Sequence, residues 1–350
     1  MISSRILKAI VAALAAGHVA AHPGADPAAE RRELAQNEEF AALNTMNLAH
    51  CAEKLETSGV LARAIHRRSN TANSHMQGRS LKDVKTVLAT DHEDNSVGLG
   101  STQDEIFATR DDGCVLMPEV TEGPFYVEGQ HLRGNLTDNE RGVKVYYDLQ
   151  IIDVDTCEPV EAGVFVEIWT TNAAGHYSGV ESPTDPDNTF KTFSRGVLPT
   201  NDDGAVLFLS VFPGHYAGRT PHVHIATHHP DYAEWLRNNN TIQNNVVTHN
   251  GQLYFDQRLV DAVRKISPYT NNKQRFIRND ADAFFEQAAS VSDPVLSYFF
   301  LDRAGEGKYG KVEGGILAWK LVGVNMTNTR RLSVAGTFHP PTGTDLSGFF

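Results

Sequence analysis

The sequence predicts a mainly β protein: an antiparallel β-sandwich with helical insertions, preceded by a partly helical, partly disordered N-terminal segment. Three observations carry that prediction. From Gly113 onward apolar and polar residues alternate at a period of two, as half-buried strands require. Clusters of Gly, Pro, Asn and Asp separate these runs, the punctuation of short antiparallel strands. Ahead of Gly113 the pattern is different, with helical spacing first and polar, gapped sequence after it.

Taken in order, residues 1–21 read as a signal peptide. Arg5 and Lys8 are its positive start, Ala9 to Ala16 an apolar run too short to span a bilayer, and Val19 and Ala21 the small residues before a cut after Ala21. No later stretch is long and apolar enough to cross a membrane, so secretion is the expectation. Residues 22–112 form an N-terminal helical segment and polar linker. Leu48, Cys51, Ala52 and Leu55 share a helix face, whereas residues 69–112 are rich in Gly, Ser, Asn and Asp. With no candidate ligand in it, this segment is expected to be dispensable for the chemistry. Arg31-Arg32 is a dibasic pair open to processing.

Residues 113–330 are expected to form the sandwich. Val143, Val145, Tyr147, Leu149 and Ile151 mark one strand and Val164, Val166 and Ile168 a second. Ala205 to Val211, Val223 to Ala226, and Leu317, Trp319 and Leu321 mark three more. Turns fall at Glu158-Pro159, Asn172 to Gly175, Asn201 to Gly204 and Pro213-Gly214. A helix starts at Asp256, buries Leu259, Val260, Val263 and Ile266, and stops before Pro268. Residues 331–350 read as a C-terminal tail.

The chain of 350 residues carries a formal net charge of −12 and no basic stripe, which excludes an electrostatic nucleic-acid binder. Three sequons, at Asn135, Asn239 and Asn325, agree with export and predict a glycoprotein. Three cysteines are too few for a disulfide-built scaffold. One bridge is expected in an oxidising compartment: Cys114 to Cys157, both flanking early strands, with Cys51 left over.

The chemistry concentrates between Tyr177 and His224. His222-Val-His224 lies in an apolar strand, so both imidazoles project from one face, as two ligands to one metal must. Alone the motif is weak and more often incidental. Tyr216 lies six residues upstream, and Tyr177 ends the loop that begins at Trp169. Phenolate oxygen is a hard anionic donor, so two imidazoles with two phenolates suit Fe(III) better than zinc. Each tyrosine taken singly would more often be a half-buried side chain with a satisfied hydroxyl. His228-His229, before Pro230, reads as a surface turn.

Five blocks stand in one order: Thr121-Glu-Gly-Pro-Phe-Tyr126, Glu167 to Tyr177, Phe212-Pro-Gly-His-Tyr216, Arg219-Thr-Pro-His-Val-His224 and Gln252-Leu-Tyr-Phe255. Together they resemble the intradiol ring-cleavage dioxygenases, the superfamily of catechol 1,2-dioxygenase and protocatechuate 3,4-dioxygenase. The likeness runs from about Cys114 to Val324 and is greatest to the secreted fungal branch. It implies one non-haem Fe(III) per chain held by Tyr177, Tyr216, His222 and His224. Tyr216 is then the ligand that leaves when substrate binds and takes one of its protons, and Arg219 steadies negative charge on the substrate ring. Gly123, Pro124 and Tyr126 would form a wall of the substrate site and Gln252 would line it. The substrates implied are a small aromatic diol and O2, the product a cis,cis-muconate-type diacid. Neither a nucleic acid nor a membrane is an expected partner, and the chain is expected to be a monomer or homodimer. Only five residues separate Tyr216 from His222, fewer than in the soluble bacterial enzymes, which predicts a more open pocket.

Three other readings stay open on the residues alone. His222 and His224 could serve a secreted zinc hydrolase together with a carboxylate. The fold could be a binding module without chemistry, against which all four ligand-type residues and Arg219 are present. After signal cleavage, His22 at the new N-terminus could chelate copper, although no partner for it stands out.

Overall fold

The computed structural model describes residues 27–76, 114–115, 125–181, 186–236, 241–243, 245–302 and 311–338. The expected signal peptide, the polar stretch from 77 to 112, Gly123, Pro124, Asn239 and the end of the tail lie outside them. Three helices come first, α1 (Pro27–Leu43), α2 (Ala52–Thr57) and α3 (Val60–Met76). The main strands follow: β1 (Lys144–Asp153), β2 (Phe165–Trp169), β3 (Arg195–Pro199), β4 (Ala205–Val211), β5 (His222–His228) and β6 (His249–Tyr254). Helices α4 (Gln257–Val263) and α5 (Ala283–Ala289) separate these from β7 (Ser297–Asp302) and β8 (Lys311–Val324).

Strands β6, β5, β2 and β3 form one sheet in that order, antiparallel throughout. In the second sheet β4 pairs antiparallel with β1, and β7 antiparallel with β8. Between them β8 runs parallel to β1, from Ile316 opposite Val145 to Val324 opposite Asp153. The expected sandwich is therefore present, with a long parallel pairing that period-two patterning cannot reveal, since alternation is blind to strand direction. Inward side chains of both sheets, Val145, Tyr147, Leu149 and Ile151 facing Val166, Ile168, Val223 and Ile225, make one buried cluster. Asp256 caps α4 by accepting from the Arg258 amide at 2.7 Å, and Leu259, Val260 and Val263 join the same core.

Both outer faces are covered as well. Over the second sheet, Leu48, Cys51, Leu55 and Val60 pack on Ile152 and Leu321, and Ala72 packs with Phe299, Leu317 and Trp319. Leu317 and Trp319 thus face helix α3, while their neighbours Ile316 and Ala318 face the sandwich. Arg67 of α3 donates through two nitrogens to the fully buried Asp148 of β1, at 2.8 and 2.9 Å. The helices of the N-terminal segment are a layer of the fold. They are also bonded to it, because the disulfide joins Cys51 to Cys157, with Cα atoms 5.1 Å apart. That corrects the expected Cys114–Cys157 pairing: α2 and the turn after β1 meet in space across a sequence separation of 106. Past residue 330, Gly336–Thr337 pairs with Val127–Glu128, so the start of the expected tail belongs to the sheet structure.

Candidate active site

The outer face of the four-stranded sheet is polar yet buried. Parity puts Val223 and Ile225 of β5 into the core and His222, His224 and His228 on the other side. Register then sets Trp169 of β2 beside His224 on one edge and Gln252 of β6 beside it on the other, with Tyr254 beside His222. The Trp169 indole lies flat against the His224 ring, centroids 4.8 Å apart and planes 7° apart, which fixes that imidazole.

Two loops deliver the tyrosines to this face. Beyond β2, the Asn172 side chain accepts from the amides of Ala174 and His176, turning the chain at Gly175 (φ +79°) toward Tyr177. The loop after β4 passes Gly214 on its way to Tyr216. The two loops are bonded to each other: Gly214 N–H donates to Asn172 O at 2.9 Å, and Thr171 Oγ1 donates to Gly214 O at 2.6 Å. A Cβ on Gly214 would run into the backbone of Ala173 and Gly175, so glycine is required for the loops to approach this closely.

The four donor atoms converge. His222 Nε2 lies 3.2 Å from His224 Nε2, 3.3 Å from the Tyr177 oxygen and 3.5 Å from the Tyr216 oxygen. His224 Nε2 lies 3.1 Å from the Tyr177 oxygen. All four residues are buried, so the short link between Tyr216 and His222 does not expose the side chains at its ends. His222 Nδ1 donates to Thr220 O at 2.7 Å, which leaves the Nε2 lone pair aimed into the cluster. Burial, then the neighbouring Tyr216, pushes the Tyr177 phenol well above its ordinary value. Burial likewise takes Tyr216 up to about 12, against the lowering effect of Arg219. Two phenols and two imidazole nitrogens thus form a cluster of N and O atoms that a cation would convert to phenolate and satisfy together.

Arg219 is fully buried beside them. Its Nε donates to Asp282 at 2.8 Å, one terminal nitrogen donates to Gln252 and to the Tyr254 hydroxyl, and the other reaches the Tyr216 oxygen at 3.5 Å. Burial pulls this guanidinium down, but Asp282 with Tyr216 and Tyr254 outweighs that and holds it above the ordinary arginine value. The expected pocket residue Gln252 is thus occupied in holding Arg219. Tyr126 turns its hydroxyl toward Glu167 and packs edge-on against Trp169, whereas its neighbour Phe125 stacks on Tyr177 at 4.6 Å.

Sequence reasoning placed Phe125 in a wall segment without its stacking role, and missed Asp282, Tyr254 and Arg195, whose guanidinium stands 5.7 Å over the Tyr177 ring. Parity on β6 could have found Tyr254, two residues from Gln252; no local signal marks Asp282. His228 corrects the expected surface turn. It is fully buried and bonds Glu167 through Nε2 at 2.9 Å, because the strand continues through it and only His229 reaches the edge.

Residues 121–259 match the family model of a dioxygenase, Dioxygenase_C. Over that stretch, 139 of the 350 residues, the chain is similar to a dioxygenase family. The matched stretch contains Tyr177, Tyr216, Arg219, His222, His224 and Gln252. Among solved structures it is similar to an intradiol ring-cleavage dioxygenase from Tetranychus urticae, 27% identical over 64% of this chain and 99% of that one, TM-score 0.48. It is also similar to hydroxyquinol 1,2-dioxygenase from Pseudomonas putida DLL-E4, 19% identical over 62% and 68% of the two chains, TM-score 0.39. Catechol 1,2-dioxygenase from Acinetobacter sp. ADP1 aligns over 95% and 94%, 15% identical, TM-score 0.36. No curated protein matches the chain.

Proposed function

We propose that this dioxygenase works on one ferric ion held by Tyr177, Tyr216, His222 and His224, and that it cleaves catechol-type rings between their hydroxyl-bearing carbons. The observation that carries this reading is the convergence of two imidazole nitrogens and a phenol oxygen within 3.1 to 3.3 Å of one another, with a second phenol 3.5 Å from His222. Such separations equal the edge of a coordination shell with bonds of about 2.0–2.1 Å. Hard oxygen donors favour a trivalent ion over zinc. When bound, the iron would supply Lewis acidity and a template that holds the diol by its oxygens.

The protein residues do the rest. Tyr216 would be the base positioned to take a proton from the incoming diol. Arg219, reaching the Tyr216 oxygen, places fixed positive charge where negative charge accumulates on the ring during oxygen attack. Phe125, stacked on Tyr177 and edge-on to Tyr216, covers the two tyrosines with apolar surface that excludes water.

Secretion belongs to the same proposal. The N-terminal signal pattern, the Cys51–Cys157 bridge and the sequons at Asn135 and Asn325 support it. Among the described residues no helix is long and apolar enough to cross a membrane.

The test is elemental analysis of natively produced, active protein together with oxygen uptake on a panel of catechols. The reading expects one iron per chain, visible colour, and a ring-opened diacid that keeps both former hydroxyl-bearing carbons as carboxyls. Stoichiometric zinc without iron in active protein sinks it and favours the hydrolase alternative.

A further inference from the structure

Arg219 comes from the matched family stretch, but the group that aims it does not. The match ends at residue 259, and Asp282 lies beyond it, 63 positions from Arg219. Its Oδ2 accepts from Arg219 Nε at 2.8 Å and from the Thr220 amide at 2.9 Å. Its Oδ1 accepts from the amides of Phe284 and Phe285, at 3.0 and 3.2 Å, which caps α5. Both side chains of the Asp282–Arg219 pair are fully buried.

A guanidinium is a flat fork, and fixing Nε fixes where the two terminal nitrogens point. With Nε on Asp282 and one terminal nitrogen on Gln252 and Tyr254, the other can face only the Tyr216 oxygen. Phe284, the second residue of the helix that Asp282 caps, lies under the same guanidinium, 4.7 Å from its carbon. Asp282 is itself held on a rigid base. Thr220 Oγ1 donates to Asn279 at 2.6 Å, and Asn279 donates to Phe255 O at 2.9 Å. On the far side of α5, Gln287 exchanges hydrogen bonds with Asn37 and Leu34 O of α1.

We infer that Asp282 is a positioning residue for ring cleavage: by capping α5 and binding Arg219 through Nε, it aims the arginine's free fork at the metal-binding tyrosine. The inference rests on the charge-stabilising role proposed above for Arg219. It makes the segment after α4, and through it the N-terminal helix, part of the catalytic apparatus.

The experiment compares wild type, Arg219→Leu, Asp282→Asn and the double variant, measuring iron content, kcat and KM for catechol. Asparagine caps a helix as well as aspartate, so α5 should survive the substitution. Asp282→Asn is expected to keep its iron and its KM within about twofold while kcat falls about tenfold or more, since the charge is no longer held in place. In the Arg219→Leu background the same change should alter kcat by less than about twofold, because residues acting through one another are not additive.

Equal fold losses in both backgrounds mean that Asp282 acts through the fold, and overturn the inference. Wild-type kcat in Asp282→Asn with a damaged Arg219→Leu overturns it alone. Wild-type kcat in Arg219→Leu defeats the role given to Arg219 and the inference with it. Should Asp282→Asn fail to fold, Asp282→Glu keeps the charge but displaces it by one methylene. It should show the same kcat loss confined to the background that retains Arg219, and a loss in both backgrounds again overturns the inference.

Discussion

Tyr177 and Tyr216 show how far single residues could be read. Strand parity alone puts His222 and His224 on one face, since neighbours two apart on a strand must share a side. The phenols were legible only as part of a set, because a tyrosine by itself more often packs than coordinates. Asp282 was not legible at all, and Phe125 was legible only as part of a wall segment, not as the ring that stacks on Tyr177. Each acts through a partner far along the chain, 63 residues for Asp282 and 52 for the stacking of Phe125 on Tyr177. The pair of tyrosines also yields a prediction at this scale. Without a cation both phenols stay neutral well above pH 7, Tyr216 titrating only at about 12. Ferric loading must then displace both phenolic protons, so the loaded protein takes on phenolate-to-iron colour that the apoprotein lacks. Visible absorption of the loaded protein measures it, and a loaded protein that stays colourless contradicts phenolate ligation. His222→Ala or His224→Ala should lose iron and colour together.

Helix α3 shows what elements do that periodicity does not announce. The alternation in β1 was legible, and it leaves Tyr146, Asp148 and Gln150 on the face away from the sandwich core. They are covered, because α3 lies across them and Arg67 answers Asp148. Helical spacing says that a face is apolar but not which sheet will receive it, so the destination of the N-terminal helices could not be read. Arg67→Ala should destabilise the fold by about 3 kcal/mol, the low end for breaking a buried pair, since Arg68 remains near Asp148 at 3.7 Å. A denaturant melt checks this, and a change under about 0.5 kcal/mol would mean that Asp148 is solvated after all. Arg67→Ala, Asp148→Leu should recover much of the loss by removing the stranded charge along with its partner.

At the scale of the whole molecule, the order of layers is helices, mixed sheet, antiparallel sheet, with the His222–His224 cluster on the outer side of the last. The sandwich class followed from punctuation and alternation. The parallel pairing of β8 with β1 did not, because it joins strands that start 167 residues apart, at Lys144 and Lys311. The disulfide belongs to this scale for the same reason. In the chain-entropy account, a bridge closing a loop of 106 residues stabilises the fold by about 4–5 kcal/mol. Reduction should lower the melting temperature without removing iron, and peptide mapping without reductant should pair Cys51 with Cys157. Iron lost on mild reduction would tie the bridge to the site itself.

That bridge also decides what a nick does. The chain between Cys51 and Cys157 could be severed at any one bond, and the α1–α3 layer would still be covalently attached to the sheet it covers. A protease would then leave two polypeptides that travel as one until a thiol parts them. Such a two-chain form would keep Arg67 on Asp148 and Asn37 on Gln287, and with them the packing behind Asp282. Maturation by cleavage and retention of the helical layer are therefore compatible in this protein.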